Sequence, residues 1–272
     1  MLLVLADGMG GHPQGDRAAE IAVRTFLQAF VEQARPRLAD ERAFLQDTVH
    51  AANRAIVDFA RAQNLPEHPR TTVVAAVVQH GRLTALHSGD SRLYWVRNAR
   101  LLRRTRDHSY HDQPERFGRL PAGVSRSVLF ACLGSDAEPL SDVLGPGPLQ
   151  VGDRVLLCSH GVWSVFGDEV LAADLCATPL ADAVEGLAQR AMHRGGRHGD
   201  HVTLIGLQWL GEDDFPSTQV LEPPETARVR GAGAGGADLD ELEIERTIAG
   251  IHAAIWRSHR APAPAAPGRR RP

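Results

Sequence analysis

Lysine is absent from the sequence, and all 30 basic residues are arginines. Together with 33 acidic residues they give a formal net charge of −3, so there is no surplus of positive charge that would favour nucleic acid as a partner. Arginine binds phosphate through two parallel hydrogen bonds. We nevertheless attribute the all-arginine composition to biased codon usage, and do not count it as a phosphate-binding signal.

Cysteine is scarce, and long apolar runs are missing. Cys132, Cys158 and Cys176 are far apart and form no CxxC pair, which argues against a disulfide framework or a thiolate zinc site. The apolar run over residues 1–6 has no basic segment before it and is too short for a signal peptide or a membrane span. It is typical of a buried strand, and we expect a cytoplasmic protein with no membrane association.

The composition changes along the chain and divides it into four parts. Residues 1–211 have the patterns of a globular domain. Residues 212–236 are rich in proline, glycine, alanine and acidic residues, which predicts a flexible linker. Residues 237–260 are a candidate helix with isoleucines on one side, which would dock on the domain or on a partner, and residues 261–272 are a proline- and arginine-rich tail that we expect to be disordered.

Within the first part, helices come as a pair and strands come as hairpins, followed by a late helix and strand. This order favours an α+β fold of antiparallel sheets covered by helices over a doubly wound parallel sheet. In the first helix the apolar positions predicted to face the core are Ala19, Val23, Phe26, Leu27, Phe30 and Val31. The predicted helices are 16–34, 41–62 and 179–193, and the predicted strands are 1–6, 71–79, 83–87, 92–97, 100–103, 154–159 and 202–209.

Four polar residues stand at strand ends, each beside a glycine: Asp7, Asp90, His160 and Asp200. Taken singly, each has a simpler interpretation as a turn, cap or hydrogen-bonded structural residue. If the strand ends are neighbours, the carboxylates repel one another unless a cation lies between them. Two divalent ions bridged by a carboxylate can activate water for an in-line displacement at phosphorus. The pattern thus raises the hypothesis of phosphate ester hydrolysis.

Five ordered motifs over about residues 1–210 resemble those of the type 2C, or PPM, metal-dependent Ser/Thr protein phosphatases. The resemblance is greatest to the bacterial branch, which has methionine at the position of Met9. The motifs are Asp7-Gly8-Met9-Gly10-Gly11-His12, Gly89-Asp90-Ser91-Arg92-Leu93-Tyr94, Thr105-Arg106-Asp107-His108-Ser109, Leu133-Gly134-Ser135-Asp136 and Asp200-His201-Val202-Thr203. The resemblance implies a four-layer α-β-β-α sandwich of two antiparallel sheets, with a substrate-contacting flap at 110–127. It makes residues 1–211 a phosphatase-like domain.

The resemblance also implies a metal site. Asp7 would bridge two Mn or Mg ions, the Gly8 carbonyl would bind the first, and Asp200 with His160 would bind the second. Asp90, with His160, would serve a third and weaker site. Asp7 and Asp200 are the implied catalytic residues. The implied substrate is a phosphoprotein, and a Ser/Thr kinase is a candidate partner.

Two departures from the family pattern leave a second hypothesis open. His160 stands where the family has an aspartate, which removes one negative charge and favours Mn or a later transition metal over Mg. The family also has a strand before the Asp7 motif that carries a phosphate-binding arginine and an acidic residue, whereas here no arginine precedes Arg17. We therefore expect an N-terminally truncated relative or a misassigned start. The alternative to a phosphatase is a catalytically impaired relative that binds a phosphoprotein or kinase. A third hypothesis, an unrelated carboxylate metal-binding module, does not account for the order of the motifs.

Overall fold

The computed structural model describes residues 1–116, 128–195 and 200–211. The predicted linker, C-terminal helix and tail lie outside the described residues, as does most of the predicted flap. The helices are α1 (Gly15–Gln33), α2 (Glu41–Ala62), α3 (His160–Trp163), α4 (Asp168–Ala177) and α5 (Leu180–Gly195). The strands are β1 (Leu2–Gly8), β2 (Thr71–Gln79), β3 (Arg82–Ser88), β4 (Arg92–Arg97), β5 (Arg100–Arg104), β6 (Asp142–Pro148), β7 (Arg154–Cys158) and β8 (Leu204–Gln208).

The described strands form two antiparallel sheets of four strands each. The strand order is β1-β2-β3-β6 in the first sheet and β5-β4-β7-β8 in the second. In the first sheet, Asp7 and Gly8 at the end of β1 lie opposite Thr72 and Thr71 at the start of β2. The pairing of β7 with β8 places Cys158 opposite Leu204. Each pairing therefore brings residues that are distant in sequence to the same end of a sheet.

Three buried clusters hold four layers together. One lies between the first sheet and the α1–α2 pair and includes Phe26 and Val73. A second lies between the two sheets and includes Val74 and Leu157. The third lies between the second sheet and helices α3 to α5 and includes Leu171. The predicted α-β-β-α sandwich is confirmed.

Strand β2 explains why a central strand of such a sandwich has a continuous apolar sequence. Side chains alternate across a strand; accordingly Val73 and Val77 belong to the helix-facing cluster and Val74 and Val78 to the cluster between the sheets. Both faces are covered, so neither calls for polar residues. The predicted bounds of this strand and of α2 are those of the structure.

The buried face of α1 differs from the predicted stripe. Its buried residues are Gly15, Ala18, Ala22 and Phe26. Leu27 and Val31, which were expected to face the core, are 49% and 66% exposed, so the prediction is wrong for these two residues. The buried face is built from small alanines, which let the helix lie close to α2 and β1, and a search for large apolar side chains does not find such a face.

Strand β6 and helix α4 have no counterpart in the sequence patterns. The segment of β6 contains two prolines and two glycines, which are depleted in strands. Because β6 lies at a sheet edge, the missing N–H groups of proline can face away from the ladder. Among the described residues, no helix is both long and apolar enough to cross a membrane.

Candidate metal centre

The five residues predicted to bind metal all line one cleft at an end of the sandwich. Asp7 and Gly8 end β1, and Asp90 lies in the connection from β3 to β4. His160 begins α3 shortly after β7, and Asp200 precedes β8. The strand ends are thus neighbours, as the hypothesis of a carboxylate cluster required.

The turn that follows β1 depends on close backbone packing. A Cβ atom on Gly8 would lie 2.4 Å from the carbonyl carbon of Gly15, so only glycine fits at this position without a shift of the backbone. The Thr71 hydroxyl donates a hydrogen bond to the carbonyl oxygen of Asp7 at 2.9 Å. These contacts fix the main chain of Gly8 against the start of α1 and that of Asp7 against the start of β2.

The loop that carries Asp90 is held from three sides. Gly89 has a φ of 105°, and a Cβ atom there would lie 2.7 Å from the Thr72 Cβ, which again requires glycine. The His108 backbone N–H donates to the Gly89 carbonyl at 2.9 Å. The indole N–H of Trp163 donates to the Asp90 carbonyl at 2.8 Å. The backbone of Asp90 is therefore positioned independently of any ligand.

Residues 159–161 and the approach to β8 bring His160 and Asp200 together. The Ser159 hydroxyl donates to the His201 carbonyl at 2.7 Å. A Cβ atom on Gly161 would lie 2.4 Å from that same carbonyl oxygen, so the start of α3 packs directly on the backbone of this segment. The Nδ1 atom of His160 lies 2.9 Å from Oδ2 of Asp200, a separation at which both atoms can bind one ion.

The buried carboxyls of the cleft are easier to protonate than usual. Burial raises the pKa of Asp7 to about 6, and the carboxylate of Asp200 adds to this rise. Burial also raises the pKa of Asp90 to about 6. His160 acts against this second shift, while Asp107 and Asp7 add to it. A bound cation would reverse the repulsion and favour the ionised forms.

The donor set fits a divalent cation. The five predicted ligands in the cleft offer three carboxylates, a backbone carbonyl and an imidazole. Oxygen ligands suit Mg and Mn, and the imidazole favours Mn. No three of these side chains place their ligand atoms all within 4.8 Å of one another.

A tighter cluster, formed by His87, His108 and Asp142, lies outside the cleft lining. His108 Nδ1 accepts a hydrogen bond from the Gly89 N–H at 3.2 Å. Its Nε2 must therefore carry the proton, and it lies 3.1 Å from Oδ2 of Asp142. Since both nitrogens of His108 are engaged in this way, we assign the cluster to support of the Gly89 loop and not to metal binding.

Arg70 also lines the cleft, and the sequence analysis did not identify it. It lies just before β2, in no motif. The antiparallel pairing of β1 with β2 places the residues before Thr71 beside the turn that follows Gly8. The pairing of β1 with β2 is therefore the signal from which the place of Arg70 in the cleft could have been predicted.

Comparison with known proteins decides the family. The sequence profile described as protein phosphatase 2C matches residues 1–178. The chain belongs to the protein phosphatase 2C family. It is 30% identical over 260 residues to the Ser/Thr protein phosphatase PstP of Mycobacterium tuberculosis, an alignment that covers 93% of this chain but 47% of PstP. The chain thus spans about half the length of this relative.

Solved structures agree with the protein phosphatase 2C assignment. The Ser/Thr phosphatase of S. agalactiae is 27% identical, with a TM-score of 0.66 over 77% of this chain and 87% of that one. The catalytic domain of PstP in complex with two manganese ions is 29% identical, with a TM-score of 0.61 over 75% of this chain and 86% of that one. Membership of this family rules out the unrelated metal-binding module.

Proposed function

We propose that this chain hydrolyses phosphoserine and phosphothreonine esters in proteins, with Mn²⁺ or Mg²⁺ as cofactor. The observation that carries the proposal is the meeting of Asp7, Gly8, Asp90, His160 and Asp200 in one cleft of a protein phosphatase 2C fold. The relatives named as Ser/Thr protein phosphatases support the reaction class. The PstP structure with two manganese ions supports the choice of cofactor.

The roles proposed for the residues are those that the family resemblance implies, and the shared cleft lining supports them. Asp7 would be shared by two ions, the Gly8 carbonyl would bind the first, and His160 with Asp200 would bind the second. Asp90, with His160, would serve a third and weaker site. When bound, such ions supply Lewis acidity toward water and toward the phosphoryl oxygens. Asp7 and Asp200 are the catalytic carboxylates of this proposal, because they would hold those ions.

A direct experiment measures phosphate release from a phosphoserine or phosphothreonine peptide with Mn²⁺, Mg²⁺ or chelator. We expect turnover with either metal, greater with Mn²⁺, and none with chelator. Mn²⁺ binding is measured by calorimetry in parallel, and Asp7→Ala should abolish it. Asp47→Ala is the matched control, since Asp47 is exposed on α2 and outside the cleft. Unchanged Mn²⁺ affinity in Asp7→Ala would refute the bridging role of Asp7.

The hydrogen bond between His160 and Asp200 favours a second candidate function. An imidazole brings no negative charge, so this pair attracts a cation less than two carboxylates would. The second candidate is therefore a catalytically impaired relative that binds a phosphoprotein, or a Ser/Thr kinase, through the same cleft. A folded protein that binds a phosphopeptide but releases no phosphate with any of these metals would support this candidate over the first. The cytoplasmic location stays a prediction from the sequence.

A further inference from the structure

Arg70 is the one permanently cationic side chain among the described residues of the cleft lining. Its backbone is fixed, because its carbonyl accepts a hydrogen bond from the Met9 N–H at 3.0 Å. The side chain is half-buried. Arg70 is thus anchored beside the glycine turn that follows Asp7, and its charge is partly withdrawn from water.

Three arginines of the second sheet with buried or half-buried side chains have strong acceptors. Arg154 donates to the carbonyls of Leu175 and Thr178. Arg92 pairs with Asp107 at 2.7 Å. Arg97 pairs with Asp153 at 2.6 Å. Both pairs satisfy the general requirement that a desolvated charge meets an opposite charge.

Arg70 lacks such a partner within the part of the chain that the structure describes. No described carboxylate lies within 4.0 Å of its guanidinium, and its one described side-chain hydrogen bond is to the sulfur of Cys132, 3.5 Å from Nη1. A thiol is a weak acceptor and does not compensate the charge. Nor does Arg70 neutralise the cleft carboxylates directly. The guanidinium is therefore left with unused donors beside the cation site.

We propose that Arg70 binds the phosphate group of the substrate, an assignment that rests on the proposed function of the cleft. A guanidinium donates two parallel hydrogen bonds to a phosphate, and these charge-assisted bonds are strong. The same cleft contains three carboxylates, which repel a phosphate dianion. Arg70 opposes that repulsion from the β2 side.

Three variants test the assignment. Arg70→Gln removes the charge, whereas Arg70→Lys keeps the charge but lacks the planar guanidinium that donates two parallel hydrogen bonds. Arg54→Gln is a matched control on the exposed face of α2. Inorganic phosphate is the probe, titrated into the Mn²⁺-loaded full chain by calorimetry. We expect Arg70→Gln to weaken phosphate binding about tenfold or more, since a hydrogen bond to a charged group is lost. Arg70→Lys should recover part of the affinity, and Arg54→Gln should match the unchanged protein.

Three further measurements separate substrate binding from a structural role. We expect the Mn²⁺ affinity and the Tm of Arg70→Gln to stay unchanged, and KM for a phosphopeptide to rise more than kcat falls. Equal phosphate affinity in Arg70→Gln and the unchanged protein would overturn the assignment. So would a loss of Mn²⁺ affinity that matches the loss of phosphate affinity, or the absence of phosphate binding in the unchanged protein. Phosphate binding that depends on Arg70 in a chain without turnover would support the assignment while refuting the proposed hydrolysis.

Discussion

His160 is the cleft residue whose chemistry differs most from that of the carboxylates around it. Its ring lies against Asp200 through Nδ1 and meets the Trp163 ring edge-on, with 4.7 Å between centroids. A neutral imidazole can bind a metal, but it brings no negative charge to an Mg²⁺ ion, which prefers oxygen ligands. If the proposed ligand set holds, the residue at this position would influence both the choice of metal and the strength of binding.

We predict that His160→Asp raises the affinity for Mg²⁺ more than the affinity for Mn²⁺, and increases phosphate release with both metals. The physical reason is that the variant adds a carboxylate oxygen and one negative charge to the second ion's ligands. Calorimetry with each metal and a phosphopeptide assay check the prediction. His193→Asp, an exposed change on α5, controls for added charge. An unchanged metal affinity in a folded His160→Asp protein would remove position 160 from the proposed ligand set.

Asp7 makes a pH-dependent contribution to the stability of the metal-free protein. Its pKa is raised from 3.8 to about 6 by burial and then by Asp200, so the folded state holds this proton more tightly than the unfolded state. Its contribution to stability therefore grows as the pH falls through about 6, and above that pH the ionised carboxylate disfavours folding.

We predict that Asp7→Asn raises the Tm of the chelator-treated protein at about pH 7.5 and leaves it almost unchanged at about pH 4, where the carboxyl is protonated. The amide keeps the shape of the protonated carboxyl and cannot ionise. Thermal unfolding at the two pH values measures the difference. An equal rise in Tm at both pH values would contradict the assigned pKa shift.

At the scale of an element, α3 consists of four residues and depends on its packing for stability, since helices this short do not persist alone. Gly161 lies against the backbone of the segment before β8, with its would-be Cβ 2.4 Å from the His201 carbonyl oxygen. A side chain at this position therefore requires a shift of the backbone that carries His160 or of the backbone that carries Asp200.

We predict that Gly161→Ala lowers the free energy of unfolding by about 1–3 kcal/mol and weakens Mn²⁺ binding. Gly186→Ala is the control. Gly186 lies within α5, a Cβ atom there meets nothing within 4 Å, and alanine favours a helix over glycine by about 1 kcal/mol. Urea unfolding should therefore move the two variants in opposite directions. If Gly161→Ala is as stable as the unchanged chain, the backbone before β8 accommodates the added methyl group without a loss of stability, and the prediction is wrong.

The elements differ in how far the sequence alone predicts them. Strand β2 and helix α2 carry strong local patterns, and their predicted bounds match the structure. Strand β6 does not, because its proline and glycine residues are tolerated only through its edge position. Arg70 escaped detection for a related reason: its place in the cleft depends on the pairing of β1 with β2. Both cases depend on tertiary pairing, which the local sequence pattern does not encode.

At the scale of the whole molecule, a buried ion pair supports the backbone of Asp90 through the side chain of Trp163. Arg92 on β4 binds both oxygens of Asp107 at 2.7 Å. The guanidinium also lies 3.5 Å from the centroid of the Trp163 ring, and Trp163 in turn donates to the carbonyl of Asp90. Residues from β4, from the segment after β5 and from α3 thus meet behind one proposed ligand.

We predict that Asp107→Asn lowers the free energy of unfolding by about 3 kcal/mol, because the buried guanidinium of Arg92 then keeps only the more distant carboxylate of Asp168, 3.4 Å away. The exposed pair of Arg17 with Glu20 is the matched control: Glu20→Gln should change stability by less than about 1 kcal/mol. Urea unfolding measures both variants.

The same ion pair links stability to metal binding. If Arg92 shifts when Asp107 loses its charge, the Trp163 ring loses its support and the Asp90 carbonyl loses a fixed donor. We therefore expect Asp107→Asn to weaken Mn²⁺ binding even though Asp107 is not a proposed ligand, whereas Glu20→Gln should leave it unchanged. A double variant, Arg92→Met with Asp107→Leu, removes both charges and should be more stable than Asp107→Asn alone. If the double variant is instead the less stable of the two, the loss in Asp107→Asn does not come from an uncompensated charge, and the cleft is supported by packing in place of the ion pair.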